Sequence, residues 1–271
     1  MFRWDGGFIM VSWDRFDEGV EWYTTHMGWE CLDQVQTPLG KKAFLKMPRL
    51  GVVTVKSFDS DIDHFINETG EEGNVRLCFE IGSIENTLDY FEQHGITYSK
   101  QVTLVNGLKT FDFYGFENAR FTVFENPTEK DHYPDARLLG FGEINARIGV
   151  TDISKAVDWY TTHLGFLKVI EDQEKGYAHL QTEDAYDFNV HQRSLMDNIF
   201  LEKIDEPVRG NPAVRTYFDI RPEKFYETYN RLKDQHMELS EIAGNPLEGW
   251  GGFHFFDPDG NRINVWSYRT M

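Results

Sequence analysis

Trp22-Tyr23-Thr24-Thr25-His26-Met27-Gly28-Trp29 returns as Trp159-Tyr160-Thr161-Thr162-His163-Leu164-Gly165-Phe166, a shift of 137 residues in a chain of 271. A block of eight repeated at half the chain length marks an internal duplication, and a duplication has to be recognised before any single motif is read. Outward from the block the correspondence continues. Val75-Arg76-Leu77-Cys78-Phe79-Glu80-Ile81 matches Val214-Arg215-Thr216-Tyr217-Phe218-Asp219-Ile220. Phe111-Asp112-Phe113 and Arg120-Phe121-Thr122-Val123 match Phe253-His254-Phe255 and Arg262-Ile263-Asn264-Val265. The polar stretch from Asn126 to Asp135, with Pro127 and Pro134, reads as the connection. The halves are therefore placed at 1–127 and 139–271, with 128–138 as linker.

Each half divides again into two units of strand, helix and several strands. Ile144 to Val150 reads as a strand, and Thr151 or Asp152 is suited to cap the helix that follows. Ile153, Val157, Tyr160 and Leu164 lay one apolar stripe along that helix, and Gly165 stands where a left-handed terminus is wanted. Phe16, Val20, Tyr23, Met27 and Gly28 repeat the pattern. Further helices are expected over Ile84–His94 and Glu223–His236. Strands are expected over Lys42–Met47, Gly51–Lys56, Tyr177–Gln181 and Asp187–His191. Asp257-Pro258-Asp259-Gly260-Asn261 is the turn of the last hairpin. The fold class is α+β, as four βαβββ modules forming two domains of two modules each.

Composition removes several classes of function. Lys and Arg total 27 against 45 Asp and Glu, and a net charge of −18 repels nucleic acid and anionic lipid. No apolar run reaches the roughly 20 residues of a membrane span. The start of the chain lacks the pattern of a secretory signal, and two cysteines are too few for a disulfide framework, so a cytoplasmic setting is expected. There is no Gly-rich phosphate loop or GxSxG elbow.

Val150-Thr151-Asp152-Ile153, Ala156-Val157-Asp158-Trp159-Tyr160, Leu164-Gly165-Phe166 and Phe255-Phe256-Asp257-Pro258-Asp259-Gly260-Asn261-Arg262-Ile263 resemble the vicinal oxygen chelate superfamily of glyoxalase I, bleomycin resistance proteins and extradiol dioxygenases. The resemblance is stronger over 140–271 than over 7–127. It implies paired modules whose curled mixed sheets make cups around a small-molecule site. In metal-dependent members the ligands are His, Glu or Gln on first and last strands. The matching positions are Asn145, Asn189, Arg215 and Asn264 in the second half, and Phe8, Thr54, Arg76 and Thr122 in the first. These are poor donors for a catalytic divalent ion, and a guanidinium repels one. The expectation is therefore no metal and no cofactor.

Arg215, Asn145, Asn189, Asn264 and Arg76 are the expected ligand-binding residues. The arginines offer planar donor forks to an anion and the amides orient a polar ligand. The competing role for Arg76 and Arg215 is an internal salt bridge, with Glu80 and Asp219 as partners on the same strand face. His26 and His163 lie in the last turns of helices, where they complement the helix dipole. His179, His191 and His254 with Glu143 form a weaker alternative metal set. Cys31 and Cys78 are expected to be buried. The expected function is binding of a small aromatic or anionic molecule without metal, for sequestration or conversion. The alternative is a metal-dependent lyase, isomerase or dioxygenase of the same superfamily. A monomer and a homodimer both fit, as do cups closed within each domain and cups made by exchanging modules between chains.

Overall fold

The computed structural model describes residues 2–37, 40–49, 51–58, 74–104, 107–129, 132–182, 197–207 and 213–268. The first module runs β1 (Arg3–Met10), α1 (Phe16–Met27), β2 (Glu30–Thr37), β3 (Gly40–Lys46), β4 (Val52–Ser57). The second runs β5 (Val75–Ile81), α2 (Ile84–His94), β6 (Val102–Thr103), β7 (Lys109–Tyr114), β8 (Arg120–Glu125). In the third, β9 (Gly140–Val150) leads to α3 (Ile153–Trp159), whose end widens into a π-helical turn over Tyr160–Leu164. There follow β10 (Leu167–Asp172), β11 (Tyr177–Gln181) and β12 (Asn198–Lys203). The fourth has β13 (Val214–Ile220), α4 (Pro222–Asp234), β14 (Ala243–Asn245), β15 (Trp250–Phe256) and β16 (Arg262–Tyr268). The four βαβββ modules are as read. The strand expected over Asp187–His191 lies outside the described residues.

The modules join in an order that the repeat alone does not dictate. One eight-stranded sheet runs β14-β15-β16-β13-β1-β4-β3-β2, the other β10-β11-β12-β9-β5-β8-β7-β6. Module one therefore pairs with module four, and module two with module three. At the centre of the first sheet β1 lies antiparallel to β13 with Phe8 opposite Arg215, and at the centre of the second β5 lies antiparallel to β9 with Arg76 opposite Arg147. We call the two concave assemblies the one–four cup and the two–three cup. Each draws one module from each half of the duplicated sequence, within a single chain.

Strand alternation then divides every central strand into a core face and a cup face. Val214, Thr216, Phe218 and Ile220 point one way, and Arg215, Tyr217 and Asp219 the other. The core faces of both sheets and the helices share one apolar cluster that includes Ile9, Val53, Val55, Leu77, Phe79, Ile148, Leu201, Phe218 and Val265. Gly7 sits where the sheets approach most closely. A Cβ there would lie 2.6 Å from the Arg215 carbonyl oxygen and 2.7 Å from the Leu77 methyls.

The repeated block repeats its geometry. Tyr23 stacks on Trp29 at 5.5 Å and Tyr160 on Phe166 at 5.8 Å. Trp22 lies 5.0 Å from His26 and Trp159 lies 5.4 Å from His163. Gly28 and Gly165 both end their helices at φ +74°, in the left-handed region open to glycine. At the helix start Asp152 accepts the Lys155 backbone N–H at 3.1 Å.

The Asp257–Asn261 turn is a structural staple. The Asp257 carboxylate accepts the backbone N–H groups of Asp259 and Asn261, at 3.0 and 2.8 Å, and the Tyr160 hydroxyl at 2.8 Å. Asn261 Nδ2 donates to the Gly149 carbonyl at 2.8 Å, and Asp259 accepts the Thr151 backbone N–H at 2.9 Å. The hairpin of module four thus holds the start of the helix of module three. In the first half Glu117 does the corresponding work, accepting the Ser12 N–H at 2.7 Å. Among the described residues no helix is long and apolar enough to cross a membrane.

Candidate ligand cup

Arg215 and Asn264, two of the residues singled out from sequence, meet in the one–four cup. They sit on adjacent parallel strands, β13 and β16, with Tyr217 opposite Asn264. The same alternation brings Lys56 and Thr54 from β4, Phe8 from β1, and Arg262 and Trp266 from β16 to this face. His254 on β15 pairs with Asn264. Together with Ser240, Glu241 and Ala243, the Phe8, Tyr217, His254, Arg262, Asn264 and Trp266 side chains line a pocket of about 40 Å³.

Its electrostatics are unusual for a chain with so many acids. Arg215 is 1% exposed. Burial, and then the like charge of Arg262, hold its guanidinium well below its ordinary pKa, while the Tyr217 phenol acts in the opposite sense. Arg262 donates from Nε to Asn264 Oδ1 at 3.1 Å, and its Nη2 lies 3.1 Å from His254 Nδ1. Lys56 lies opposite Lys42 on β3. Its Nζ donates to the Tyr217 hydroxyl at 2.8 Å, and it stands 4.3, 4.7 and 6.0 Å from the ring centroids of Phe8, Tyr217 and Trp266. Burial, followed by the charges of Lys42 and Arg215, lowers the Lys56 pKa to about 7, against a smaller opposing pull from Asp5. Four cations, Lys42, Lys56, Arg215 and Arg262, thus gather on one face beside aromatic rings.

The two–three cup solves the same problem differently. Arg76 donates to Asp112 at 2.9 Å and also bridges Glu202, Arg147 bridges Glu202 and lies 3.6 Å from Asp112, and Arg120 reaches Asp112 at 2.7 Å. Thr122 donates its hydroxyl to Asp112 at 2.6 Å. Burial alone would raise the Asp112 pKa, but the guanidiniums of Arg76, Arg147 and Arg120 and the Thr122 hydroxyl outweigh it and hold the group at about 2. Cys78, Phe124, Ile144, Tyr177 and Phe200 pack beside this network.

Several expectations are changed by these positions. Arg76 is in an internal salt-bridge network, but its partners are Asp112 and Glu202, not Glu80. Glu80 bridges Arg49, and Asp219 accepts Arg3 Nε at 2.8 Å. Four residues along a strand span roughly 13 Å, beyond the reach of a direct ion pair within one strand. Asn145 does not converge with Arg215, because β9 belongs to the other sheet; its Oδ1 accepts the Asn198 backbone N–H at 2.7 Å. Asn189 and His191 lie outside the described residues. His179 and His254 sit on different sheets, the former 2.7 Å from Asn198 Oδ1. Cys78 is buried, with its thiol pushed up to about 12 by burial, whereas Cys31 is only partly covered.

Lys56, Tyr217, Arg262 and Trp266 were not singled out in the sequence, and His254 was singled out only for the alternative metal set. The signal for three of them was simple alternation, since Tyr217 follows Arg215 by two, and Arg262 and Trp266 flank Asn264 by two.

The first- and last-strand positions to which the resemblance points fall, in the one–four cup, on Phe8, Thr54, Arg215 and Asn264. Phe8 faces both Thr54 and Arg215 across its neighbouring strands. A phenyl ring, a hydroxyl, a guanidinium and an amide do not fit a divalent first-row ion, which takes imidazole or carboxylate donors.

Residues 141–265 match the model of the Glyoxalase/Bleomycin resistance protein/Dioxygenase superfamily. Among solved structures, the chain is similar to a Bacillus subtilis protein with a dioxygenase assignment, at TM-score 0.65 and 13% identity, covering 100% of this chain and 87% of that one. It is also similar to glyoxalase I from Zea mays, at TM-score 0.63 and 12% identity, covering 98% and 92%. At such identities the likeness is one of fold. No curated protein matched the sequence.

Proposed function

Residues 141–265 belong to the glyoxalase, bleomycin resistance and dioxygenase superfamily, and from that premise we propose that the one–four cup binds a small anionic molecule with a flat apolar part. It does so without a metal at the inherited positions, for sequestration or metal-free conversion. The observation that carries this reading is the gathering of Lys42, Lys56, Arg215 and Arg262 on one face in a chain of net charge −18. A face that gathers guanidinium and ammonium groups beside aromatic rings suits an anionic ligand with a flat part.

The division of labour follows from chemistry. Arg215 and Arg262 offer donor forks to a carboxylate or phosphate-like group, Asn264 orients Arg262, and Phe8, Tyr217 and Trp266 offer ring faces to the apolar part. A reducing cytoplasm, the duplicated halves 1–127 and 139–271 as evolutionary units, and a monomer or homodimer belong to the same reading.

The test is a thermal-shift panel of aromatic and aliphatic carboxylates and phosphates on protein purified without chelator, with metal content read by plasma mass spectrometry before and after adding Zn, Ni, Mn or Fe(II). Stabilisation by aromatic anions at substoichiometric metal is expected. Near-stoichiometric metal that survives desalting, or indifference to every anion, would overturn the proposal.

A further inference from the structure

Lys56 has a setting that anion binding alone does not require. Its Nζ is held 2.8 Å from the Tyr217 hydroxyl and 4.3 Å from the Phe8 centroid, and the Arg215 guanidinium carbon lies 5.6 Å from the centroid of that same ring. A primary amine, a phenol and an anion-binding fork therefore converge on one apolar surface. We propose that Lys56 is a covalent, imine-forming amine, and that the cup takes a small 2-oxo acid whose carboxylate is held by Arg215 and Arg262 and whose carbonyl carbon is presented to Lys56 Nζ. This rests on the reading of the cup as an anion site.

The chemistry balances without a co-reactant. The neutral amine adds its lone pair to the carbonyl carbon, and the C=O π pair moves to oxygen, which takes a proton from the Tyr217 hydroxyl. The amine nitrogen returns a proton to Tyr217. The carbinolamine then breaks its C–O bond, and the oxygen leaves as water with the second nitrogen-borne hydrogen, giving the imine. Desolvation beside rings and the nearby charges of Lys42 and Arg215 favour the neutral amine that this addition needs. The reverse hydration releases the acid, so the step serves reversible capture as well as chemistry at the carbon next to the imine, where the iminium withdraws electrons.

The experiment uses phenylpyruvate as probe on the full chain. Protein is incubated with phenylpyruvate and cyanoborohydride, which reduces an imine to a stable secondary amine, and the adduct is mapped by peptide mass spectrometry. In parallel, phenylpyruvate binding is measured calorimetrically without reductant. One adduct at Lys56 is expected, formed about ten-fold or more faster than on any other lysine, absent in Lys56→Arg and slowed in Tyr217→Phe. Binding without a preferred adduct at Lys56 overturns the imine while leaving the anion site standing. Neither binding nor adduct overturns both. An adduct at Lys56 that forms equally fast in Arg215→Gln contradicts the assigned orientation of the acid.

Discussion

The two cups are made from the same module around the same central pair of antiparallel strands, and each carries an arginine at the matching position, Arg76 on β5 and Arg215 on β13. Their surroundings have diverged. Asp112 on β7 corresponds in the repeat to His254 on β15, Thr122 to Asn264, and Arg120 to Arg262. In the two–three cup Arg120 and Arg76 both grip the Asp112 carboxylate. In the one–four cup Arg262 donates toward the His254 ring instead, and its like charge helps hold the Arg215 guanidinium well below its ordinary pKa. Exchanging that acid for an imidazole removes from the one–four cup the carboxylate that two guanidiniums share in the two–three cup. The lesson is that a duplicated fold preserves its frame, while the partner across the strand decides whether a buried arginine is mortar or bait.

The sharpest way to break this comparison is to remove each arginine in turn. Arg76→Met leaves Asp112 and Glu202 short of a guanidinium in a buried network, and a loss of about 3–5 kcal/mol is expected by urea denaturation. Arg215→Met removes a desolvated cation beside the like charge of Arg262 and is expected to cost less than Arg76→Met. Equal losses would contradict the distinction. The Asp112 network also carries a pH signature. With a folded pKa of about 2 against an ordinary 3.8, its contribution is complete above 3.8 and is lost as the pH falls toward 2, a slope that Asp112→Asn should remove.

A second effect concerns the hairpins. Asp257→Ala strips partners from the Tyr160 hydroxyl and two turn N–H groups, and a loss of about 3 kcal/mol is expected in thermal unfolding. Smaller, and more direct for function, is His254→Asp, which installs the two–three arrangement in the one–four cup. It should weaken binding of aromatic carboxylates by about ten-fold or more while leaving the chain at least as stable. Retained affinity would show that His254 is not what keeps the cup cationic.

The smallest effect is a matter of sign. Lys56 has a folded pKa near 7 against 10.5 for the free side chain, so between those values the unfolded chain binds more protons than the folded one. Stability should therefore rise with pH through that window relative to Lys56→Met, in which that part of the slope disappears. Matched slopes in the two proteins, measured by denaturation at pH 6.5 and 9, would contradict the burial of an amine there.

Much of the fold was legible because the Trp22 and Trp159 blocks carry the helix stripe, the cap and the terminating glycine together, and the Asp257–Asn261 turn announces its hairpin. The pairing of modules was not, because nothing within β1 or β13 distinguishes a partner in the same half from one in the other. For the candidate site, the resemblance points to first and last strands, and Arg215 and Asn264 on such strands do lie side by side in one cup. Asn145 was misplaced for the same reason, since position along a strand does not say which sheet the strand joins. Lys56 and Tyr217 were within reach of strand alternation, but their meeting across β4, β1 and β13 depends on the pairing of modules one and four.

The central claim, that the one–four cup and not the two–three cup receives the ligand, is tested most directly by calorimetric titration of phenylpyruvate into wild type and Arg215→Gln at low ionic strength. The account predicts one site per chain, weakened about ten-fold or more in the variant. Two equivalent sites per chain, or undiminished affinity in Arg215→Gln, would contradict it.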